Sequence, residues 1–375
     1  RDGRGVRGDG DESEEQREDA AHRGSLRQNA RMINRRNFAR LATLAAAAVA
    51  ASAPVPAAPA RPRAVVKPKR LAEGDTVGMV LPASLTTEAD DLQLAKEQLE
   101  AIGLKVAIGA HAYDRHGYFA GNDRDRADDV NRMFADDRIA GVVCYTGGWG
   151  SPRVLPYLDY DLIARKPKVL IGYSDITALL NAVHQRTGLV TFHGPVGAST
   201  IEPYSLDNFR RVLMSPEPAG LLAPPPKKAT ELVDRSNRVL RLHPGQATGR
   251  LAGGNLTLLA SLMGTPYEIE TDGAILFAED VREEVYRVDR MLTQLALGGK
   301  FARMAGFVFG RCTDCKAETL SLEDILRDRF AAGPAPAISG LSFGHIEQKL
   351  TLPIGVTARL DADAGTLEVL EGAVV

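Results

Sequence analysis

The chain has 375 residues, 46 Lys and Arg against 48 Asp and Glu, and a formal net charge of -2. That length suits about two domains, and 44% hydrophobic with 25% charged residues excludes both a disordered chain and a membrane bundle. The even charge balance gives no electrostatic reason to expect a nucleic-acid partner, and three cysteines are too few for a disulfide scaffold.

Residues 1–31 are charged, Gly-rich and almost without large apolar side chains. Such a segment buries too little surface to offset the entropy of ordering. It is expected to be disordered and to lie upstream of a true start at Met32. The Ala-rich run Leu41–Ala53 is shorter than the ~20 apolar residues that span a bilayer. Its basic flank and the small residues Ala58-Pro59-Ala60 make residues 32–60 read as a signal peptide. Arg35-Arg36 with Phe38 and Leu41 resembles a twin-arginine export signal, with Asn34 and Ala39 as mild departures. The resemblance implies a periplasmic protein whose partners include the twin-arginine export machinery.

From about Arg70, strands and helices alternate. Thr76–Leu81 is a short apolar run. Leu92, Ala95, Leu99 and Ile102 recur at helical spacing, and Gly103 sits where a helix ends. Leu104–Ile108 reads as a strand, and Ala127, Val130 and Phe134 mark a helix. Ile139–Tyr145, Val169–Tyr173 and Leu189–Phe192 read as further strands. Short apolar strands between amphipathic helices predict a parallel sheet covered on both faces. Ligands bind such sheets beyond the carboxyl ends of the strands.

The N-terminal unit is placed at residues 70–215 and a Pro-rich linker at 216–234. A second unit follows at 235–375. Its helices are expected after Asn255, over Val288–Leu297 and over Leu322–Phe330. Its strands are expected at Ile275–Phe277, Gly306–Phe309, Leu352–Leu360 and Thr366–Leu370. No internal repeat is visible.

Four segments could carry chemistry. In the first, the apolar strand Val169–Tyr173 runs into Ser174-Asp175 and an apolar-periodic helix. A serine on a sharp strand-to-helix turn is presented at the sheet's edge, where backbone N–H groups can hold a developing oxyanion. Ile176 breaks the G-x-S-x-G pattern, and from this segment alone the reading of Ser174 or Asp175 as a helix cap is favoured. The second is Tyr145-Thr146-Gly147-Gly148-Trp149-Gly150, whose paired glycines allow close backbone approach. It reads either as an oxyanion donor facing Ser174 or as an ordinary turn. The third is Glu279-Asp280 after the strand Ile275–Phe277. Glu279 could orient a histidine, or the two acids could be solvated strand-end groups. The fourth is Phe343-Gly344-His345, with His193 in His193-Gly194-Pro195 as the nearest competing histidine. Cys312-Thr313-Asp314-Cys315 is a lone C-x-x-C without a second pair, which argues against zinc.

Together these residues resemble the LD-carboxypeptidase family, the muramoyltetrapeptide carboxypeptidases. The resemblance covers nearly all of residues 72–373. It also takes in Leu81-Pro82-Ala83-Ser84, Phe119-Ala120-Gly121, Gly253-Gly254-Asn255-Leu256 and Gly264-Thr265-Pro266-Tyr267. It implies an α/β protein with a flavodoxin-like N-terminal domain and a smaller, swivelling β/α C-terminal domain. Ser174 would be the nucleophile, Glu279 the orienting acid and His345 the general base. The backbone N–H groups of Asp175 and Gly148 would form the oxyanion hole. Neither metal nor cofactor is expected, the substrate would be a murein peptide, and the family implies a homodimer. Thr146 and Trp149 stand where the family loop often carries Arg and Tyr, so Thr146, Gly147 and Trp149 are the substrate-pocket residues to watch. Relatives resembling microcin-immunity proteins leave a peptidyl-nucleotide substrate open. Two lobes and a linker also suit a periplasmic binding protein without catalysis.

Overall fold

Five apolar runs of the first half become parallel strands in the computed structural model, which describes residues 64–375 apart from 87, 228 and 235. The extension at 1–31 and the export segment at 32–60 lie outside the described residues. The strands are β1 (Thr76–Val80), β2 (Lys105–Ile108), β3 (Ile139–Cys144), β4 (Val169–Gly172) and β5 (Thr191–His193), ordered β5-β4-β3-β1-β2. Every residue of β4, and all of β3 but Ala140, is buried. That explains why these strands read as continuous apolar runs rather than alternating ones.

Helices cover the sheet. α1 (Ala89–Ala101) buries Leu92, Ala95 and Leu99, and its chain reverses through Gly103 at φ 101, a backbone conformation that suits glycine. α2 (Asp123–Ala135) starts from Asn122, whose side chain accepts from the N–H groups of Arg124 and Asp125, as an N-cap should. Two short helices follow, α3 (Ser151–Val154) and α4 (Tyr160–Arg165). α5 (Thr177–Thr187) is buried along Thr177–Val183. Burying each of its large aliphatic side chains contributes about 1.5–3 kcal/mol before entropy is subtracted. α6 (Pro203–Leu213) closes this half.

The second sheet is mixed. β6 (Gly220–Leu221), β7 (Leu240–His243), β8 (Gln246–Asn255), β9 (Ala274–Val281), β10 (Gly306–Thr313) and β11 (Ala337–Ser339) come first. After β12 (Leu352–Ile354), β13 (Thr357–Asp361) and β14 (Thr366–Val369) complete it in the order β6-β14-β13-β8-β9-β10-β11-β7. β8 to β11 are parallel. Their crossovers use α7 (Leu256–Ser261), α8 (Val285–Leu297) and α9 (Leu322–Phe330). α8 turns Val285, Val288, Leu292 and Leu295 inward, and α9 opens with a capping box between Ser321 and Asp324.

Two pairings were not legible in advance. β6 lies inside the Pro-rich stretch and pairs with β14. The strand expected over Leu352–Leu360 divides into β12 and β13, and β12 pairs antiparallel with β5, Leu352 opposite His193. That pairing covers a sheet edge that β5 would otherwise expose. It also holds the preceding loop, residues 340–351, against the end of the first sheet.

Candidate active site

Two strand ends and a loop converge. Ser174 follows β4, Glu279 lies near the end of β9, and His345 sits in the loop between β11 and β12. Ser174 begins a single 3-10 turn ahead of α5 and has φ 64. A non-glycine residue there is strained, and the strain belongs to the sharp turn that presents the hydroxyl. The helix-cap reading of Ser174 and Asp175 does not describe what is seen, because α5 has no side-chain cap bond. Instead the Asp175 carboxylate accepts from Ser151 N at 2.6 Å, and Ser151 Oγ donates to the Asp175 carbonyl. Asp175 therefore ties α3 to the serine turn. Burial pushes its carboxyl above the usual range, opposed by hydrogen bonds from Ser151.

The serine, histidine and glutamate form one hydrogen-bonded chain. Ser174 Oγ and His345 Nε2 are 2.9 Å apart, and His345 Nδ1 and Glu279 Oε2 are 2.7 Å apart. An ionised carboxylate only accepts, so Nδ1 carries the proton and Nε2 is left to accept from the serine hydroxyl. Glu279 is fully buried, while the His345 side chain is 18% exposed. The ring of Tyr173 meets His345 edge to face at 4.9 Å and fixes the imidazole's other face.

Glu279 is itself held. In the parallel register of β8 and β9, Asn255 is the partner of Glu279. Asn255 Nδ2 donates to Glu279 Oε1 at 3.3 Å and to Asp280 Oδ1 at 3.0 Å. Asp280 also accepts from Thr257 N and Oγ1 at 3.0 and 2.9 Å. Burial, helped by the neighbouring Glu279, raises the Asp280 carboxyl to about 6. Thr177 Oγ1 accepts from Asn255 N at 2.8 Å, and Asn181 Nδ2 donates to the Gly253 carbonyl at 2.9 Å. Helix α5 behind the serine is thus bolted to the strand beside the glutamate.

The glycine loop lies against the serine. A Cβ on Gly147 would stand 2.8 Å from Ser174 Cβ and 3.1 Å from both Ser174 Oγ and Asp175 N. Only a residue without a side chain lets the loop backbone come this close. Ser84 Oγ accepts from Trp149 N at 3.0 Å and fixes the loop. The Trp149 ring is 47% exposed and tilts over Phe119 at 6.2 Å, and Thr146 is half-buried. Trp149 is therefore available beside the loop rather than consumed by packing.

The competing histidine is placed differently. His193 is 1% exposed, and neither ring nitrogen has a hydrogen-bond partner. It is enclosed by the rings of Tyr173, Phe277 and Phe343. Burial pulls it down to about 4. Lys349 is also buried, its ammonium 4.9 Å from the centre of the Tyr173 ring, and burial pulls it down to about 8.

The sequence motifs point to the serine, the glutamate and the histidine but assign no role to Asn255, Asp280 or the C-x-x-C pair. Asn255 at a strand-to-helix junction was the available signal, since Asn is a preferred N-cap. It does cap α7 through Leu258 N. Cys312 and Cys315 are joined by a disulfide. No metal-ligating group of three or more side chains among the described residues includes them.

Comparison with known proteins agrees with this architecture. Residues 77–194 match the LD-carboxypeptidase N-terminal domain and residues 248–360 the LD-carboxypeptidase C-terminal domain. A probable murein peptide carboxypeptidase of Bacillus subtilis is 41% identical over 315 residues, covering 82% of this chain and 95% of the relative. Among solved structures, a muramoyltetrapeptide carboxypeptidase from Oxalobacter formigenes aligns with a TM-score of 0.68 at 29% identity, covering 79% of this chain and 99% of that one. The microcin C7 self-immunity protein MccF aligns with a TM-score of 0.74 at 27% identity, covering 83% of this chain and all of that one. With both domain models matched in order and the relatives spanned almost end to end, the chain belongs to the LD-carboxypeptidase family of peptidases.

Proposed function

We propose that this peptidase is a serine carboxypeptidase that removes the terminal D-Ala from murein tetrapeptides through an acyl-enzyme. The observation that carries the reading is the continuous chain Ser174 Oγ, His345 Nε2, His345 Nδ1, Glu279 Oε2, with links of 2.9 and 2.7 Å. Ser174 attacks the carbonyl of the L-centre before D-Ala, and its proton passes to His345 Nε2. Glu279 stabilises the resulting imidazolium. The backbone N–H groups of Gly148 and Asp175 receive the oxyanion, each such donor being worth ~10²–10³ in rate. His345 then protonates the leaving D-Ala amine, and a water activated by the same imidazole hydrolyses the ester. The murein peptide carboxypeptidase relatives support the substrate class.

Replacing Ser174 by Ala tests the reading through D-Ala release from tetrapeptide. The account expects loss of release, and full activity of the variant would end it. One observation favours a second substrate. The solved structure of a microcin C7 self-immunity protein matches this fold closely, and the exposed Trp149 offers a flat aromatic face that could stack on a base. A panel pairing murein tetrapeptide with a peptidyl-nucleotide separates the two readings by their kcat/KM values. We also propose export by the twin-arginine route, supported by the pattern of residues 32–60. Replacing Arg35-Arg36 by Lys-Lys should retain the precursor inside the cell, and unchanged export would refute it.

A further inference from the structure

We propose that Thr313 is a positioning residue for His345, and that the Cys312–Cys315 disulfide locks Thr313 in place, so that reducing this disulfide slows reaction at Ser174. The inference rests on the proposed serine mechanism and adds a redox-sensitive element to it.

The disulfide closes a turn containing only Thr313 and Asp314. Thr313 Oγ1 donates to the His345 carbonyl at 2.7 Å. It is a direct side-chain tie between the second sheet and the residue that carries the imidazole. The Thr313 carbonyl accepts from Arg282 N at 2.8 Å. In the register of β9 and β10, Cys312 pairs with Asp280 and Thr313 with Val281. One turn therefore touches both segments that must meet: the end of the strand bearing Glu279, and the loop bearing His345.

The disulfide adds to what the ladder supplies. Regular pairing of β9 and β10 is interrupted between Phe309 and Cys312 and resumes at Cys312 and Thr313, so the turn joins the upstream strand across a break in the register. Asp314 sits at φ 56, a left-handed conformation that costs free energy in a non-glycine residue and persists only where its surroundings enforce it. Two links cross the turn and hold it: the disulfide and the hydrogen bond from Cys315 N to the Cys312 carbonyl. Once the disulfide is cut, Asp314 can relax toward ordinary backbone angles and carry the Thr313 hydroxyl away from the His345 carbonyl. A displacement of about 1 Å in a reacting group can cost up to ~10²-fold in rate.

Cys312 and Cys315 are partly exposed, and Asp314 between them is exposed. A small dithiol can reach the pair. The remaining cysteine, Cys144, is buried in the first sheet. In the reduction, a dithiol thiolate attacks one sulfur and the Cys312–Cys315 bond breaks. The second thiol of the reagent then closes on the mixed disulfide. Two protons and two electrons end on the two protein thiols, and the reagent becomes a cyclic disulfide. The loop closed by this disulfide is short, so its entropic contribution to stability is at the low end of the range, and the reduced chain should remain folded.

The test uses the full chain and the rate at which a fluorophosphonate labels Ser174, read by mass spectrometry, with and without dithiothreitol. Circular dichroism and melting verify that each form is folded. Reduction should slow labelling about tenfold. Thr313→Val should slow it by a similar factor, and Thr313→Ser, which keeps the hydroxyl, should restore it. The Cys312→Ser/Cys315→Ser variant should behave like the reduced chain and ignore dithiothreitol. In Thr313→Val, reduction should add less than about twofold, because two changes acting through one contact are not additive. Equal labelling of folded oxidised and reduced chains would overturn the proposal, as would independent, multiplicative effects of Thr313→Val and reduction. Failure of the oxidised wild type to label at all would instead refute the serine mechanism beneath it.

Discussion

Asn255 and Glu279 face one another across adjacent parallel strands, and the Asn255 amide donates to the Glu279 oxygen that His345 does not use. With one Glu279 oxygen bonded to His345 and the other to Asn255, the buried carboxylate has no freedom to turn away. The same amide also donates to Asp280, which Thr257 holds as well. Removing a partner from a buried charged group costs more than an ordinary hydrogen bond contributes. Asn255→Ala should lower kcat for D-Ala release by about 10–100-fold with a smaller change in KM. Steady-state kinetics on a folded variant checks this, and a kcat within twofold of wild type would show that Glu279 needs no such support.

The glycine loop gives a sharper steric expectation. Gly147→Ala would force a methyl group to within 2.8 Å of Ser174 Cβ and 3.1 Å of Asp175 N. The backbone atoms it meets cannot swing aside, so the loop must retreat from the serine. Activity should fall by at least ~10²-fold, the cost of one lost oxyanion donor. Melting temperature should move little, because the loop sits at the edge of the core. A melting experiment beside the D-Ala assay separates a damaged site from a damaged fold.

His193 yields a pH prediction whose sign follows from burial. In the unfolded chain it takes up a proton near 6.5, whereas burial holds it neutral in the folded state down to about 4. The unfolded state therefore binds more protons between those values, and stability is lost as pH falls from about 6.5 to about 4. Asp280, raised to about 6 by burial, acts oppositely and favours the folded state as pH falls through 6 toward its unfolded value. His193→Phe should remove the first effect only. On acidification from pH 7 to pH 4.5 the variant should lose less unfolding free energy than wild type, by roughly 2–3 kcal/mol. Urea titrations at the two pH values measure this difference, and identical losses would place the His193 ring in contact with water.

These residues show which parts of the molecule were readable in advance. Continuous apolar runs such as Val169–Gly172 fixed the parallel strands, since a strand buried on both faces has no polar positions to alternate. Glycine and serine at the end of β4 announced a tight turn. The choice between His193 and His345 was carried by a resemblance, because both neighbour glycine and neither sits in a decisive motif. Burial and partners separate them: one ring has two hydrogen-bond partners, the other none.

What stayed hidden depends on register between distant segments. The pairing of Asn255 with Glu279, of Leu352 with His193 and of Thr313 with the His345 carbonyl follows from how strands align across two sheets. Local hydrophobic periodicity carries no information about such alignment. The C-x-x-C pair read as an isolated motif for the same reason. Its significance lies in what Thr313 touches, not in its spacing.

The central claim is that Ser174 is the nucleophile of a carboxypeptidase acting at D-Ala. Its most direct test is mass spectrometry of murein tetrapeptide incubated with wild type and with Ser174→Ala. The account predicts tripeptide and free D-Ala in equal amounts from wild type, and a rate lower by at least ~10⁴-fold in the variant. Tripeptide formation by Ser174→Ala at a rate near that of wild type would contradict it.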